Sequence, residues 1–322
     1  MFIEAMTKTA ENIRKPSPAL APRGGPFDLA DEESYRRWRE RKIASRLADV
    51  ADLVVEISSF GVLTVVEHAA ILERCRRMNM AIYAGPEQTP AAARKSVAAL
   101  GAAFGLRRLD RNLCAEKDGI SALEVRAGTG AGEYIPYTDR PLSWHTDGYY
   151  NSADEQVRGV ILHCVRAAAD GGGNALMDPE IAYIRLRDEN PDYIAALMHP
   201  QAMTIPANTM GGTEIRPARI GPVFSVDERS RALHMRYSAR KVNVVWRDDG
   251  TTRAAVDFLN ALLAADSGDV LHWRLGPGQG YISNNVLHTR TAFGDTPDPA
   301  SGRLVYRARY YDRIEETEPR ND

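Results

Sequence analysis

Two stretches of this chain, far apart in sequence, carry side chains that make sense only if they meet. One is Trp144-His145-Thr146-Asp147-Gly148 and the other is Asn285-Val286-Leu287-His288-Thr289-Arg290. An H-x-D unit alone is short and common by chance. Joined to a distant histidine it becomes a candidate metal grip: two imidazoles and one carboxylate fill one face of an Fe(II) octahedron and leave three positions open. A chain that satisfies this needs a rigid frame that folds one stretch back onto the other.

The chain between and around them reads as such a frame. Short strand-like runs dominate from Leu113 onward: 122–126, 159–165, 175–177, 223–226, 232–237, 280–283 and 304–311. Asp170-Gly171-Gly172-Gly173-Asn174 is a tight turn between two of them. Helical patterns are inserted near 180–188, 191–198 and 252–265; the last has Ala255, Phe258, Leu259, Leu262 and Leu263 on one side. This order predicts a mainly β fold with helical decoration, a double-sheet β-roll. Residues 1–30, rich in proline and glycine, are expected to form an extended arm. Residues 31–322 are expected to form a single domain, helical to about 110 and a β-roll after about 111. In the helical part the readings are a charged helix opening at Asp31, a strand at 53–57, and helices at 67–80 and 91–104.

Composition excludes several classes. Of 322 residues, 44% are apolar and 26% charged, ordinary globular values, and the net charge of -2 argues against nucleic-acid binding through bulk charge. No apolar run is long enough to span a bilayer, and residues 1–23 hold no signal-like apolar segment. Cys75, Cys114 and Cys164 are odd in number and match no zinc or disulfide framework. A cytoplasmic location is the expectation. The expected partner is a small-molecule substrate, with neither nucleic acid nor membrane; homo-oligomerisation stays open.

From Tyr137 to Tyr311 the chain resembles the taurine dioxygenase-like (TauD/TfdA) family of Fe(II)/2-oxoglutarate oxygenases. The resemblance rests on an ordered set: H-x-D, a Gly-Gly turn, N-x-x-x-H-x-R, then Arg303-x-x-x-Arg307. It implies a double-stranded β-helix (jelly-roll) core. It implies iron held by His145, Asp147 and His288, with 2-oxoglutarate and dioxygen as cosubstrates and succinate and carbon dioxide as products. By resemblance Arg303 clamps the distal carboxylate of 2-oxoglutarate. The gap from His288 is fifteen residues, longer than is usual in the family, because of the loop between Gly294 and Gly302; Arg307 and Arg309 remain alternatives. Asn174 stands where members often have a serine or threonine hydroxyl that donates to the keto acid. It is either a cofactor contact through its amide or a turn residue. Because Asp147 is present, hydroxylation or desaturation is favoured over halogenation.

The chemistry accounts for these residue types on its own terms. Two neutral imidazoles and one carboxylate leave Fe(II) partly uncompensated, ready for a dianionic keto acid. An arginine offers two parallel donors to a carboxylate. Alternation along a strand puts Arg303, Val305, Arg307 and Arg309 on one face. Arg307 is thus expected to touch the cosubstrate or an anionic part of the substrate. Trp144 and Tyr149-Tyr150 line the pocket or simply pack; Arg236 and Arg240-Lys241 meet an anionic substrate or are surface charge. His68, His163, His199, His234 and His272 fit no ligand spacing and read as structural. The rival readings are a cupin-like metal-dependent hydrolase or isomerase, and a β-roll that binds ligand without catalysis.

Overall fold

The computed structural model describes residues 24–111, 116–126, 134–210, 212–240, 242–265, 267–295 and 301–319. Most of the expected arm, Cys114, Lys241 and residues 296–300 of the loop before Arg303 lie outside that set.

Ten strands build two facing sheets: β1 (Val54–Glu56), β2 (Met80–Ala84), β3 (Ser121–Leu123), β4 (Leu142–His145), β5 (Gly159–Arg166), β6 (Asn174–Met177), β7 (Leu271–Trp273), β8 (Gln279–Ser283), β9 (Leu287–Arg290) and β10 (Leu304–Tyr310). The major sheet has the order β1-β2-β8-β5-β10-β3 and the minor sheet β7-β6-β9-β4. All pairings in both sheets are antiparallel except β1 with β2. The architecture is the mainly β double-stranded roll that the strand pattern predicts; the barrel is not closed.

Three apolar clusters hold the layers. Between the sheets, Met80, Ile82, Leu162, Cys164, Tyr281 and Val305 of the major sheet meet Leu176, Leu271 and Val286 of the minor side. On the outer face of the major sheet, Ala81, Tyr83, Ile161, Tyr306, Ala308 and Tyr310 pack under two helices, α2 (Val65–Met78) and α3 (Pro90–Ala103). The outer face of the minor sheet, through Ala175, Met177 and Leu287, is covered by α4 (Pro179–Glu189), α5 (Pro191–Leu197) and α6 (Gly250–Ala264), with α1 (Glu32–Ala44) beside them. Phe27, at the end of the expected arm, is buried against Trp38 and Tyr183.

Besides the strand expected near 53–57, present as β1, the N-terminal part holds a second strand. A helix over 67–80 was the expectation, yet α2 stops at Met78, because Asn79 adopts a left-handed conformation (φ 57°). Met80 then opens β2, a strand deep inside the major sheet. Its five residues are all buried, with Ala81 and Tyr83 facing one cluster and Met80 and Ile82 the other. A strand covered on both faces shows no alternation, so its sequence continues the helical pattern without a break. At its other end α2 begins with a reciprocal cap, the Thr64 hydroxyl accepting from Glu67 N and the Glu67 carboxylate accepting from Thr64 N.

Candidate active site

β4 and β9 are neighbours, and their register sets His145 directly opposite His288. The two rings lie 4.2 Å apart between centroids. Each ring is oriented by its own strand: His145 Nδ1 donates to Ser143 O at 2.8 Å and His288 Nδ1 to Val286 O at 3.0 Å. A ring that donates from Nδ1 keeps its Nε2 lone pair for coordination. Burial pushes the His145 imidazolium down to about 3, helped by repulsion from His288; burial likewise lowers His288. Both rings are therefore neutral near pH 7, the form a metal requires.

Asp147 follows β4 by two residues, and Asn285 fixes it there. Asp147 N donates to Asn285 Oδ1 at 2.8 Å, and Asn285 Nδ2 donates back to Asp147 O at 2.9 Å and to Val157 O at 2.6 Å. Asn285 has φ 53°, a conformation that asparagine tolerates better than most residues. The Asp147 carboxylate is split between two duties. Oδ1 accepts from Arg307 Nη1 at 2.9 Å and lies 3.5 Å from Arg309 Nη1. Oδ2 is buried, without a hydrogen-bond partner, and 3.8 Å from His288 Nε2. Burial works to raise this carboxyl, but Arg307 and Arg309 outweigh it and hold it well below the usual carboxylate range.

The two imidazoles thus stand beside Asp147, and an orphaned buried carboxylate oxygen next to them is what a cation would satisfy. Among the described residues no three His, Cys, Asp or Glu side chains form a ready-made cage; Asp147 leans toward Arg307. The donor set, two imidazoles and one carboxylate, suits Fe(II).

The arginines sort themselves along β10. Val305 faces the inter-sheet cluster, while Leu304, Tyr306, Ala308 and Tyr310 face the helices, so alternation carries Arg307 and Arg309 inward. The guanidinium of Arg307 is engaged by Asp147. Arg309 pairs with Asp110 and donates to the Tyr150 hydroxyl at 2.8 Å. Arg303 differs. It is 8% exposed, its Nη1 has no partner, and its guanidinium lies 5.0 Å from the Phe293 ring. Arg290, from the H-x-R part of the second motif, reaches the same ring from 4.8 Å and has an orphaned Nε. Burial, and then Arg303, press Arg290 down to about 10. Two buried cations thus lie near one another, with Asp139 and Asp295 acting on them only from beyond ion-pair distance.

Asn174 opens β6 and donates its amide to Thr289 O at 3.1 Å. Trp144 and Asn174 line a cleft of about 530 Å³ with His272, Trp273 and Thr289, while His145, Asp147 and His288 are not part of its wall. Tyr149 is edge-on to His145 at 6.4 Å and packs against Tyr150. Sequence reasoning missed Arg290, Asn285 and Tyr281. The Tyr281 hydroxyl is buried without a partner, and its ring is 6.4 Å from His288. The H-x-R spacing contained a signal for Arg290. Nothing local marks Tyr281, which reads as one more aromatic in a strand.

Known proteins place this site in context. The model of the family described as taurine catabolism dioxygenase TauD, TfdA family matches residues 88–309. A uridine-5'-phosphate dioxygenase from Amycolatopsis sp is 34% identical over 173 residues, 52% of this chain and 60% of that protein. The matched stretch thus spans under two thirds of that relative's length. One of the same name from Streptomyces sp is 26% identical over 245 residues, 74% of this chain and 87% of that protein. Among solved structures, asparagine oxygenase in complex with Fe(II), 2S,3S-3-hydroxyasparagine and succinate has a TM-score of 0.54 at 18% identity, covering 91% of this chain and 87% of that one. The non-heme iron oxygenase OrfP in complex with Fe, succinate and (3R,4R)-dihydroxy-L-Arg gives 0.56 at 14%, covering 90% and 88%. At such identities the likeness is one of fold.

Proposed function

The chain belongs to the taurine catabolism dioxygenase TauD, TfdA family, and on that footing we propose an Fe(II)/2-oxoglutarate oxygenase whose iron is held by His145, Asp147 and His288. The observation that carries the reading is the in-register His145–His288 pair beside the orphaned Asp147 Oδ2. Iron with 2-oxoglutarate supplies the dioxygen activation that side chains lack, so that one oxygen atom goes to the substrate and the other to succinate, with carbon dioxide released.

The rest of the work falls to the protein. Arg303, backed by Arg290, takes the distal carboxylate of 2-oxoglutarate, since their free donors need an anion. Tyr281 offers its unpartnered hydroxyl as a donor on the same side as His288. Arg307 positions Asp147 by holding Oδ1, which leaves Oδ2 toward His288. Arg309, Tyr149 and Tyr150 border the place where substrate sits. Cys75 and Cys164 are buried free thiols, which suits a cytoplasmic enzyme. No helix among the described residues is long and apolar enough to cross a membrane.

The two curated relatives are named for uridine-5'-phosphate, so a small anionic substrate carrying a phosphate is the first class to examine. The reading is tested by His145→Ala and His288→Ala. Wild type should show a weak visible band with Fe(II) and 2-oxoglutarate without oxygen, and release succinate when oxygen is admitted. Each variant should fold, lose the band and fall to background turnover. Unchanged iron binding in both variants overturns the assignment; iron binding that needs both histidines in a wild type that releases no succinate favours the hydrolase reading.

A further inference from the structure

Outside the iron site the molecule holds a second concentration of positive charge. Arg216 ends the strand Thr213–Arg216, Arg219 begins Arg219–Gly221, and Arg236 follows Leu233–Met235. Arg236 is 8% exposed and is spent on backbone: Nε donates to Tyr149 O at 2.7 Å, Nη1 to Met203 O at 3.1 Å and Nη2 to Arg219 O at 2.9 Å. Arg216 is half-buried and donates to Pro217 O at 2.9 Å and Pro206 O at 2.8 Å. The buried Nε of Arg219 has no hydrogen-bond partner.

Among the described residues, none of these three guanidinium groups has a carboxylate within the 4.0 Å of an ion pair. They also act on one another. Burial and then Arg216 press Arg236 down to about 10; burial lowers Arg216 and Arg219 adds repulsion, with Tyr149, Tyr150 and Glu214 acting the other way. A fold does not gather three partly desolvated cations without a counter-charge unless an anion arrives to meet them.

Their position says what the anion belongs to. The Arg216 guanidinium lies 5.8 Å from the centre of the Tyr150 ring. The Tyr150 hydroxyl accepts from Arg309, which is itself 3.5 Å from Asp147. Arg236 grips the carbonyl of Tyr149, whose ring stands edge-on to His145. The cluster therefore sits one aromatic layer from the proposed metal.

We propose that Arg216 and Arg219, held in place by Arg236, bind a phosphoryl group of the substrate, with Tyr149 and Tyr150 as the wall between that group and the iron. This deepens the oxygenase reading and rests on it for the word substrate. A phosphomonoester is preferred to a carboxylate because it brings about -1.5 to -2 charges and three acceptor oxygens, against one charge and two oxygens. Arginine forks match that geometry.

The test is calorimetric titration with uridine-5'-phosphate, uridine and inorganic phosphate, on metal-free protein and on protein loaded anaerobically with Fe(II) and 2-oxoglutarate. The nucleotide should bind about ten- to a hundredfold more tightly than uridine, and phosphate should compete. Arg216→Gln/Arg219→Gln should lose that advantage, while Arg303→Gln keeps it. Arg216→Gln alone, at a half-buried strand end, gives the same readout if the double variant does not fold. Equal affinity for nucleotide and nucleoside, or no nucleotide binding in either form, overturns the proposal. So does a loss confined to Arg303→Gln, which moves the anion to the keto-acid clamp. Phosphoryl binding that depends on Arg216 and Arg219, in a protein that never turns over 2-oxoglutarate, upholds this site and sinks the oxygenase reading.

Discussion

The molecule buries two clusters of charge, and they are built to opposite rules. In one, Lys42 Nζ lies 2.6 Å from Asp178 and 2.5 Å from Glu180. Asn79 links Asp178 to Asn284 and Arg313, and Arg313 closes on Thr317. Two cations face two carboxylates, and α1, α4 and the C-terminal segment are tied together. In the other, Arg290, Arg303, Arg307 and Arg309 surround a region whose ion-paired carboxylates are Asp147 and Asp110, while Asp139 and Asp295 act on Arg290 and Arg303 only from beyond ion-pair distance. Positive charge is in excess and several N–H groups are orphaned. Balance marks the first as architecture. Imbalance marks the second as a site that is finished by a ligand.

The largest effect that separates the two is on stability. Lys42→Met leaves Asp178 and Glu180 buried without their cation, and should cost about 3–5 kcal/mol. Chemical denaturation would read this as a lower midpoint, while folded protein keeps its 2-oxoglutarate requirement. Arg303→Leu should do the reverse. The 2-oxoglutarate requirement should rise by about two to four decades. The ligand-free protein should be no less stable, because Arg290 is relieved of its neighbour. A destabilised Arg303→Leu protein with normal 2-oxoglutarate affinity would erase the distinction.

A smaller effect is expected at Asn285, which supports Asp147 without being a ligand. Asn285→Ala removes three hydrogen bonds around Asp147 and should weaken Fe(II) binding by about ten- to a hundredfold. If iron binding is unchanged in a folded variant, the carboxylate is held by Arg307 alone. The smallest effect concerns His163, whose Nδ1 is 3.2 Å from the Tyr83 hydroxyl. Burial pushes this imidazole down to about 4, against 6.5 when exposed. The unfolded chain takes up the proton first, so the contribution is complete above pH 6.5 and is lost as pH falls toward 4. His163→Gln should flatten part of the acid loss of stability in that window. The whole loss persisting would assign it to the other buried imidazoles, His145, His234 and His288, which burial also depresses.

Sequence alone revealed the meeting of His145, Asp147 and His288, because coordination chemistry restricts which residue types stand together and at what spacing. The inward face of β10 was legible for the same kind of reason: alternation is a property of the backbone. β2 was hidden, since burial on both faces removes the periodicity that distinguishes strand from helix. The tie between Arg307 and Asp147 was hidden too, because the sequence shows a basic face and not which acid it finds. Arg290 was legible only as part of the H-x-R spacing, while Tyr281's place beside His288 and the gathering of Arg216 and Arg219 around Arg236 are tertiary matters with no local pattern.

The pairing of β4 with β9 has a consequence in time. At a synthesis rate of about 5–20 residues per second, the ribosome makes the segment between them in roughly seven to thirty seconds. Throughout that interval His145 waits without the strand that carries His288. The metal pocket thus cannot exist until β9 has been made, and iron uptake becomes a report that the chain has been synthesised past that strand and folded back onto β4.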